Sequence, residues 1–163
     1  MGYRLREYAP ADRDACLAVF ASNTPTFFRE HEQAHFADFL DRMPCPFFVV
    51  EDEDGRVIGC GGYAPQRGTL CYGMVAGPLH RRGVGRFLLR ERLRRWYEGH
   101  GPSLIKVNTS QHASGFFERA GFVTTRVVPD GHAPGLDRYE MELQLDEGRY
   151  QALMQRREPP ATA

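Results

Sequence analysis

The sequence predicts an α/β protein of the α+β kind: a mixed, largely antiparallel sheet of six to seven strands with helices on both faces. Three features point there. Strand-like and helix-like runs interleave along most of the 163 residues, as expected of a sheet layered with helices. Two hairpin signals interrupt that alternation and make neighbouring strands antiparallel. The one glycine-rich loop lacks the spacing of either common nucleotide-binding fingerprint, which argues against a doubly wound parallel sheet. The length fits one domain with a substantial core. We set it at residues 1–156, with "REPPATA" (157–163) as a disordered tail.

In chain order, "YRLREY" alternates as a first strand. Asp12 then caps a helix reaching about Phe20, with Cys16, Leu17 and Phe20 at helical spacing. "ASNTPTFF" breaks the pattern, because Asn23 and Pro25 favour a turn. A second helix from about Arg29 to Arg42 is expected to bury Phe36, Phe39 and Leu40. In "FFVVEDEDGRVIGCGGY" two apolar runs flank Asp52-Glu53-Asp54-Gly55, a hairpin in which Gly55 supplies the positive φ. "TLCYGMV" is a further strand. Strict alternation places Thr69, Cys71 and Gly73 on one face, expected to be the cleft face, and Leu70, Tyr72 and Met74 on the other. An Arg-rich helix follows, then the strand "SLIKV", a short helix near residues 111–120 stopped by Gly121, and the strands "FVTTRVV" and "LDRYEMELQL".

Composition narrows the function classes. Lys+Arg and Asp+Glu each number 21, so no global field draws the chain to nucleic acid or to an acidic membrane. The four cysteines form no CxxC pair, so they read as buried free thiols and not as a metal site. "MGYRLREY" is too charged for a signal peptide, and no apolar run approaches a membrane span. The reading is a cytoplasmic protein. Positive charge is instead local: between His80 and Arg95 seven arginines face one acid, Glu91.

That local charge surrounds a loop. In "VAGPLHRRGVGRFLL" a strand leads through Arg81-Arg82-Gly83-Val84-Gly85 into a helix. The first-turn amides of a helix lack intrahelical partners and attract anions. Glycine at 83 and 85 lets a pyrophosphate approach the backbone. Along the helix Val84, Leu88, Leu89, Leu93 and Trp96 are expected to pack inward, leaving Arg90, Arg92, Arg94 and Arg95 in water.

This stretch resembles the acetyl-CoA signature of the GCN5-related N-acetyltransferases. "SQHASGFFERAGF" (110–122) is similar to the second motif of that family, and the order of elements also matches, to about Leu145. The resemblance implies an enzyme that moves an acetyl group directly from acetyl-CoA, its co-substrate, to a primary amine of a small molecule, aminoacyl compound or peptide. It implies a cofactor site at Met74, Val75, His80, Arg81, Arg82, Gly83, Val84, Gly85, Arg86, Ser110 and Phe117, and it admits a homodimer. Neither metal, nucleic acid nor membrane is implied. The sequence also departs from the pattern: His80 stands for Gln or Arg, Ser110 for Asn, and Phe117 for the tyrosine that protonates the leaving thiolate. Cys71 and Ser114 are the catalytic candidates, with water held near Ser110 and Ser114 replacing the phenol. No carboxylate or imidazole lies on the expected cleft face of "TLCYGMV", so the base falls to a water held by groups elsewhere, with Glu30, His31 and His35 as further candidates. "SNTPTFFREHE", with Phe27 and Phe28, and "PDGHAPGLD" are expected to border the acceptor. The missing tyrosine and base also leave a non-catalytic acyl-CoA-binding or sensing module as an alternative.

Overall fold

The structure, a computed structural model, describes residues 2–155; the 157–163 tail lies outside them. Strands β1 (Arg4–Glu7), β2 (Phe47–Glu51), β3 (Val57–Ala64), β4 (Thr69–Val75), β5 (Ser103–Thr109), β6 (Val123–Ala133) and β7 (Leu136–Leu145) form one seven-stranded sheet. Its order is β1-β2-β3-β4-β5-β7-β6. Every neighbouring pair is antiparallel except β4 and β5. Those two are joined by helix α3 (Val84–His100), and a connection of that length allows a parallel return.

Helices α1 (Arg13–Ala21) and α2 (Gln33–Arg42) pack on one face through Cys16, Phe20, Phe36 and Leu40. On the other face α3, α4 (Ser114–Arg119) and α5 (Glu147–Gln155) share a core of Leu89, Leu93, Trp96, Phe117 and Leu153. Periodicity did not reveal α5. Its signal is Asp146, whose carboxylate accepts the Arg149 N–H at 2.8 Å as an N-cap. Tyr150 stacks on Tyr97 and holds the helix down.

Asp12 corrects a capping assignment. It lies in a 3₁₀ turn, Pro10–Asp12, and makes no side-chain cap to α1. Its carboxylate accepts the Ala9 N–H at 2.8 Å and both terminal nitrogens of Arg6, also at 2.8 Å. Arg6 Nε donates to buried Glu51 at 2.6 Å, tying β1 to β2. The Arg6 guanidinium holds the Asp12 and Glu51 carboxyls below their usual range. A carboxyl depressed on folding contributes stability above its unfolded pKa and loses it as pH falls through the folded value. Melting temperature should therefore fall steeply below about pH 4, near the unfolded carboxylate pKa values. Arg6→Ala should lower stability at pH 7 by on the order of 2 kcal/mol and flatten that acid dependence. Thermal melts from pH 7 to 3 check both.

Strand β4 holds the feature that shapes the site. Gly62 pairs with Cys71 and Cys60 with Met74, so Tyr72 and Gly73 together oppose Gly61. This is a β-bulge, with Tyr72 at φ 45°. The extra residue breaks the expected alternation. Leu70 joins the α3-side core and Gly73 faces Arg92 of α3, while Tyr72 and Met74 join the α1–α2 core. Cys71, opposite a glycine packed on Phe47, turns toward Cys45 and does not share a face with Gly73.

Candidate functional site

Beyond the bulge β4 and β5 separate. Only Thr69 and Lys106 are paired, and toward Val75 and Thr109 the strands splay into a cleft of about 1530 Å³ that runs through the sheet. The Ala76 N–H bonds to Ile58 of β3 at 2.9 Å. Successive residues of a strand point their polar groups to opposite edges, so the N–H and C=O of Val75 face the opening. The Val75 carbonyl accepts Asn23 Nδ2 and His80 Nε2, each at 2.9 Å. Its N–H stays directed into the cleft, placed for a thioester carbonyl or a ligand amide.

At the end of the splay lies the glycine loop. Arg81 has φ 64° and Gly83 φ 85°, two left-handed residues that swing the chain into α3. The first helical bond is Phe87 N–H to Gly83 C=O at 3.0 Å, so the amides of Val84, Gly85 and Arg86 have no intrahelical acceptor. Apart from the adjoining residues of the loop, no atom lies within 4 Å of the position a Gly83 Cβ would take, so the approach is open. Donors, helix dipole and flanking arginines together form an anion seat.

Of the sequence-proposed residues, Met74, Val75, His80, Arg81, Gly83, Gly85, Arg86, Ser110 and Phe117 line this cleft, as does Cys71. Three are placed differently. Val84 packs its side chain against Val50, Ile58 and Leu88, so only its backbone serves the loop. Arg82 borders a small depression beside Gly2 and Tyr3, and its carbonyl accepts the Tyr3 hydroxyl at 3.1 Å. Ser114 is buried at the start of α4 and does not line the cleft. Ser110 does, with its Oγ accepting the His112 N–H at 3.2 Å. Phe117 sits edge-on between Phe116 and Phe122.

The opposite mouth is aromatic. Phe27, Phe28, Phe39 and Tyr72 line it, and the Phe27 ring meets His80 edge-on at 5.1 Å. Arg29 fastens this loop to the β6–β7 turn through the Pro134 carbonyl at 3.1 Å. Gln111 fixes the same turn by bonds of 2.8 and 2.9 Å to Gly135 and Asp137. Glu30, His31 and His35 are exposed and point elsewhere. Glu32 and His132 also line the cleft, within the two segments expected to border the acceptor, though neither residue is singled out by the sequence; His112, which the short-helix spacing turns away from the site, lines it too. Glu32 is the one carboxylate among the lining residues, and its Oε2 accepts the Arg29 N–H at 2.8 Å.

Cys71 is the polarised thiol of the cleft. A hydrogen bond from Cys45 lowers its pKa, burial opposes this, and the charges of Arg92 and Arg67 assist it. Arg92 itself departs from the water-facing reading of its helix: it is buried, and burial pushes its pKa down to about 10. Arg90 also departs from that reading and lines the cleft, Arg94 pairs with Glu91 and Glu98, and Arg95 lies over the Phe48 ring. Among the described residues no three His, Cys, Asp or Glu cluster as a metal site, and no helix is long and apolar enough to cross a membrane.

A family model, the acetyltransferase (GNAT) domain, matches residues 17–145. The chain belongs to the GNAT family. As a member it is an acetyltransferase of the N-acetyltransferase type, and its co-substrate is acetyl-CoA. No curated protein sequence matches it. Among solved structures, a GNAT-family acetyltransferase from Desulfovibrio desulfuricans superposes with TM-score 0.70 at 25% identity, over 88% of this chain and 99% of that one. A phosphinothricin acetyltransferase from Sinorhizobium meliloti, in complex with acetyl-CoA, gives 0.72 at 20% identity over 90% of each chain. An aminoglycoside 6'-N-acetyltransferase bound to coenzyme A gives 0.70 at 14% identity, over 86% and 96%. The acetyltransferase shares with them its overall fold.

Proposed function

We propose that this acetyltransferase holds the pyrophosphate of acetyl-CoA on the amides of Val84, Gly85 and Arg86. The pantetheine arm then lies along the open edge of β4, and the acetyl group passes to a primary amine entering past Phe27, Phe28 and Glu32. The observation that carries this reading is the cleft itself, which joins an anion seat on one side of the sheet to an aromatic, acidic mouth on the other. Aromatic surface suits the apolar part of a small molecule or peptide, and Glu32 suits an ammonium group. The Val75 N–H supports the thioester carbonyl as negative charge develops on its oxygen.

Attack requires a neutral amine. For a lysine-type amine deprotonation at pH 7 costs about 4.6 kcal/mol, and for an α-amine about 1 kcal/mol. The Val75 carbonyl accepts His80 Nε2, and that bond holds the imidazole beside the open edge of β4. β4 offers no carboxylate to the cleft, Glu32 serves the ammonium in this reading and Cys71 is taken up by its bond with Cys45, so the amine passes its proton to solvent.

The test is incubation with acetyl-CoA and a panel of amines, amino acids and peptides, following thiol release and product mass over a range of pH. Acetylated product should form, with kcat/KM rising with pH and the apparent pKa tracking that of each acceptor. A pKa fixed across acceptors and lost in His80→Gln would assign the base to His80 instead. Coenzyme A binding without acetylation of any amine would favour a sensing module, to which Phe117, with no hydroxyl to offer a leaving thiolate, would then belong.

A further inference from the structure

Arg92 is out of place among the arginines of α3. Only 3% of it is exposed. One hydrogen bond of 3.3 Å, from Nη1 to the Gly62 carbonyl, holds the guanidinium, and Nε has no partner. The groups able to offset its charge are two thiols: Cys60 is held protonated by its bond with Cys16 and by burial, while Cys71, lowered to about 7 chiefly by its bond with Cys45, offers a single sulfur and no pair of oxygens to the guanidinium. No carboxylate pairs with it among the described residues, whereas Arg94, two positions on, has two. Burying a guanidinium in this way is unfavourable unless an anion completes it.

The sheet is cut to admit it. A Cβ at Gly73 would come within 2.9 Å of the Arg92 Cζ, and one at Gly61 within 3.2 Å. The bulge at Tyr72 turns Gly73 toward α3 and so opens this space at the edge of the splay. Arg92 lines the cleft from that position.

Direction decides which ligand meets it. β4 runs toward the glycine loop and α3 runs back, so Arg92 stands eight residues past Val84, roughly 12 Å along the helix from the anion seat. A ligand seated by its phosphates and lying along the open edge of β4 passes Val75, then Gly73, and ends against Arg92. The aromatic mouth and Glu32 lie on the α1–α2 side, away from it. The charge at Arg92 therefore faces the acyl end of the donor.

We infer that Arg92 receives the terminal carboxylate of a dicarboxylic acyl-CoA, so that the enzyme takes short ω-carboxyacyl thioesters of the malonyl or succinyl type besides acetyl-CoA. The planar fork of an arginine suits a carboxylate through two N–H donors. Transfer follows the same balance as for acetyl. The amine nitrogen bonds to the thioester carbonyl carbon, the carbon–sulfur bond breaks, sulfur leaves as thiolate, and the ammonium proton passes to solvent. The distal carboxylate is unchanged and stays on Arg92.

This inference rests on the coenzyme A reading of the cleft, and a binding assay without acceptor separates the two. Wild-type protein is titrated with coenzyme A, acetyl-CoA and succinyl-CoA. Succinyl-CoA should bind at least about tenfold more tightly than acetyl-CoA, as a charge-assisted bidentate pair provides. Arg92→Met, apolar and of similar reach, should erase the difference, and Arg92→Lys should keep part of it. Equal affinity of the wild type for the two donors overturns the inference while leaving the coenzyme A site intact. So does a preference that survives in Arg92→Met. Failure of all three ligands to bind sinks both readings. Equal wild-type affinities decide against the inference without any variant, and if Arg92→Met misfolds, an undiminished preference in Arg92→Lys overturns the assignment to Arg92 while a partial loss supports it.

Discussion

Gly83→Glu should abolish useful coenzyme A binding while the protein stays folded. Gly83 is the N-cap of α3 at φ 85°, and the space beyond its Cα is open to solvent. A glutamate there costs roughly 1–2 kcal/mol of backbone strain, which most domains tolerate. Its carboxylate, however, occupies the positive end of the helix and competes for the amides of Val84, Gly85 and Arg86. Losing two charge-assisted hydrogen bonds of about 1.5 kcal/mol or more each reduces affinity by on the order of 10²-fold. Gly83→Ala, which carries the strain without the charge, should lose far less. Calorimetric titration of both variants, with melts to confirm folding, separates the two contributions. Unchanged affinity in folded Gly83→Glu would remove the anion seat from this loop.

Glu32→Gln should raise KM for cationic amine acceptors by about tenfold, with coenzyme A affinity unaltered. Glu32 is the only carboxylate among the lining residues, and it is fixed by the Arg29 N–H. Glutamine keeps an oxygen to accept that bond, so the 3₁₀ turn Glu30–Glu32 persists while the charge is lost. An exposed ion pair would be worth little, but Glu32 is half-buried in a cleft that Phe27, Phe28, Phe39 and Tyr72 also line, which reduces screening. Steady-state kinetics with an amine and with a neutral acceptor of the same shape gives the decisive contrast. Equal loss for both would make Glu32 a scaffold residue and nothing more.

Local chemistry made much of the fold legible. Gly55 after three acids announced the β2–β3 hairpin, and the glycine–arginine loop announced the start of α3. Both signals lie within a few residues of the structure that they specify. The bulge at Tyr72 escaped because one extra residue on β4 reverses the alternation without changing the run of apolar side chains. Arg92 escaped because helical periodicity assigns it to water with Arg90, Arg94 and Arg95, whereas its burial depends on glycines of β3 and β4 that are distant in sequence. Glu32 sits in a segment expected to border the acceptor, yet nothing local singles it out within that segment, for a related reason. Which acid faces the cleft is set by how the loop before α2 docks on the β6–β7 turn, through Arg29 and Pro134. The α5 helix was a local oversight, since Asp146 and Glu147 form an acidic helix start that the sequence displays.

The direct measurement of where coenzyme A lies is a titration of isotope-labelled protein followed amide by amide. The amides of Arg81 to Arg86 should shift together with those of Gly73 and Val75 on the open edge of β4. Shifts confined to the depression beside Gly2, Tyr3 and Arg82, or to the outer face of α3 at Arg94, would contradict a donor held on the helix start and threaded through the splayed sheet.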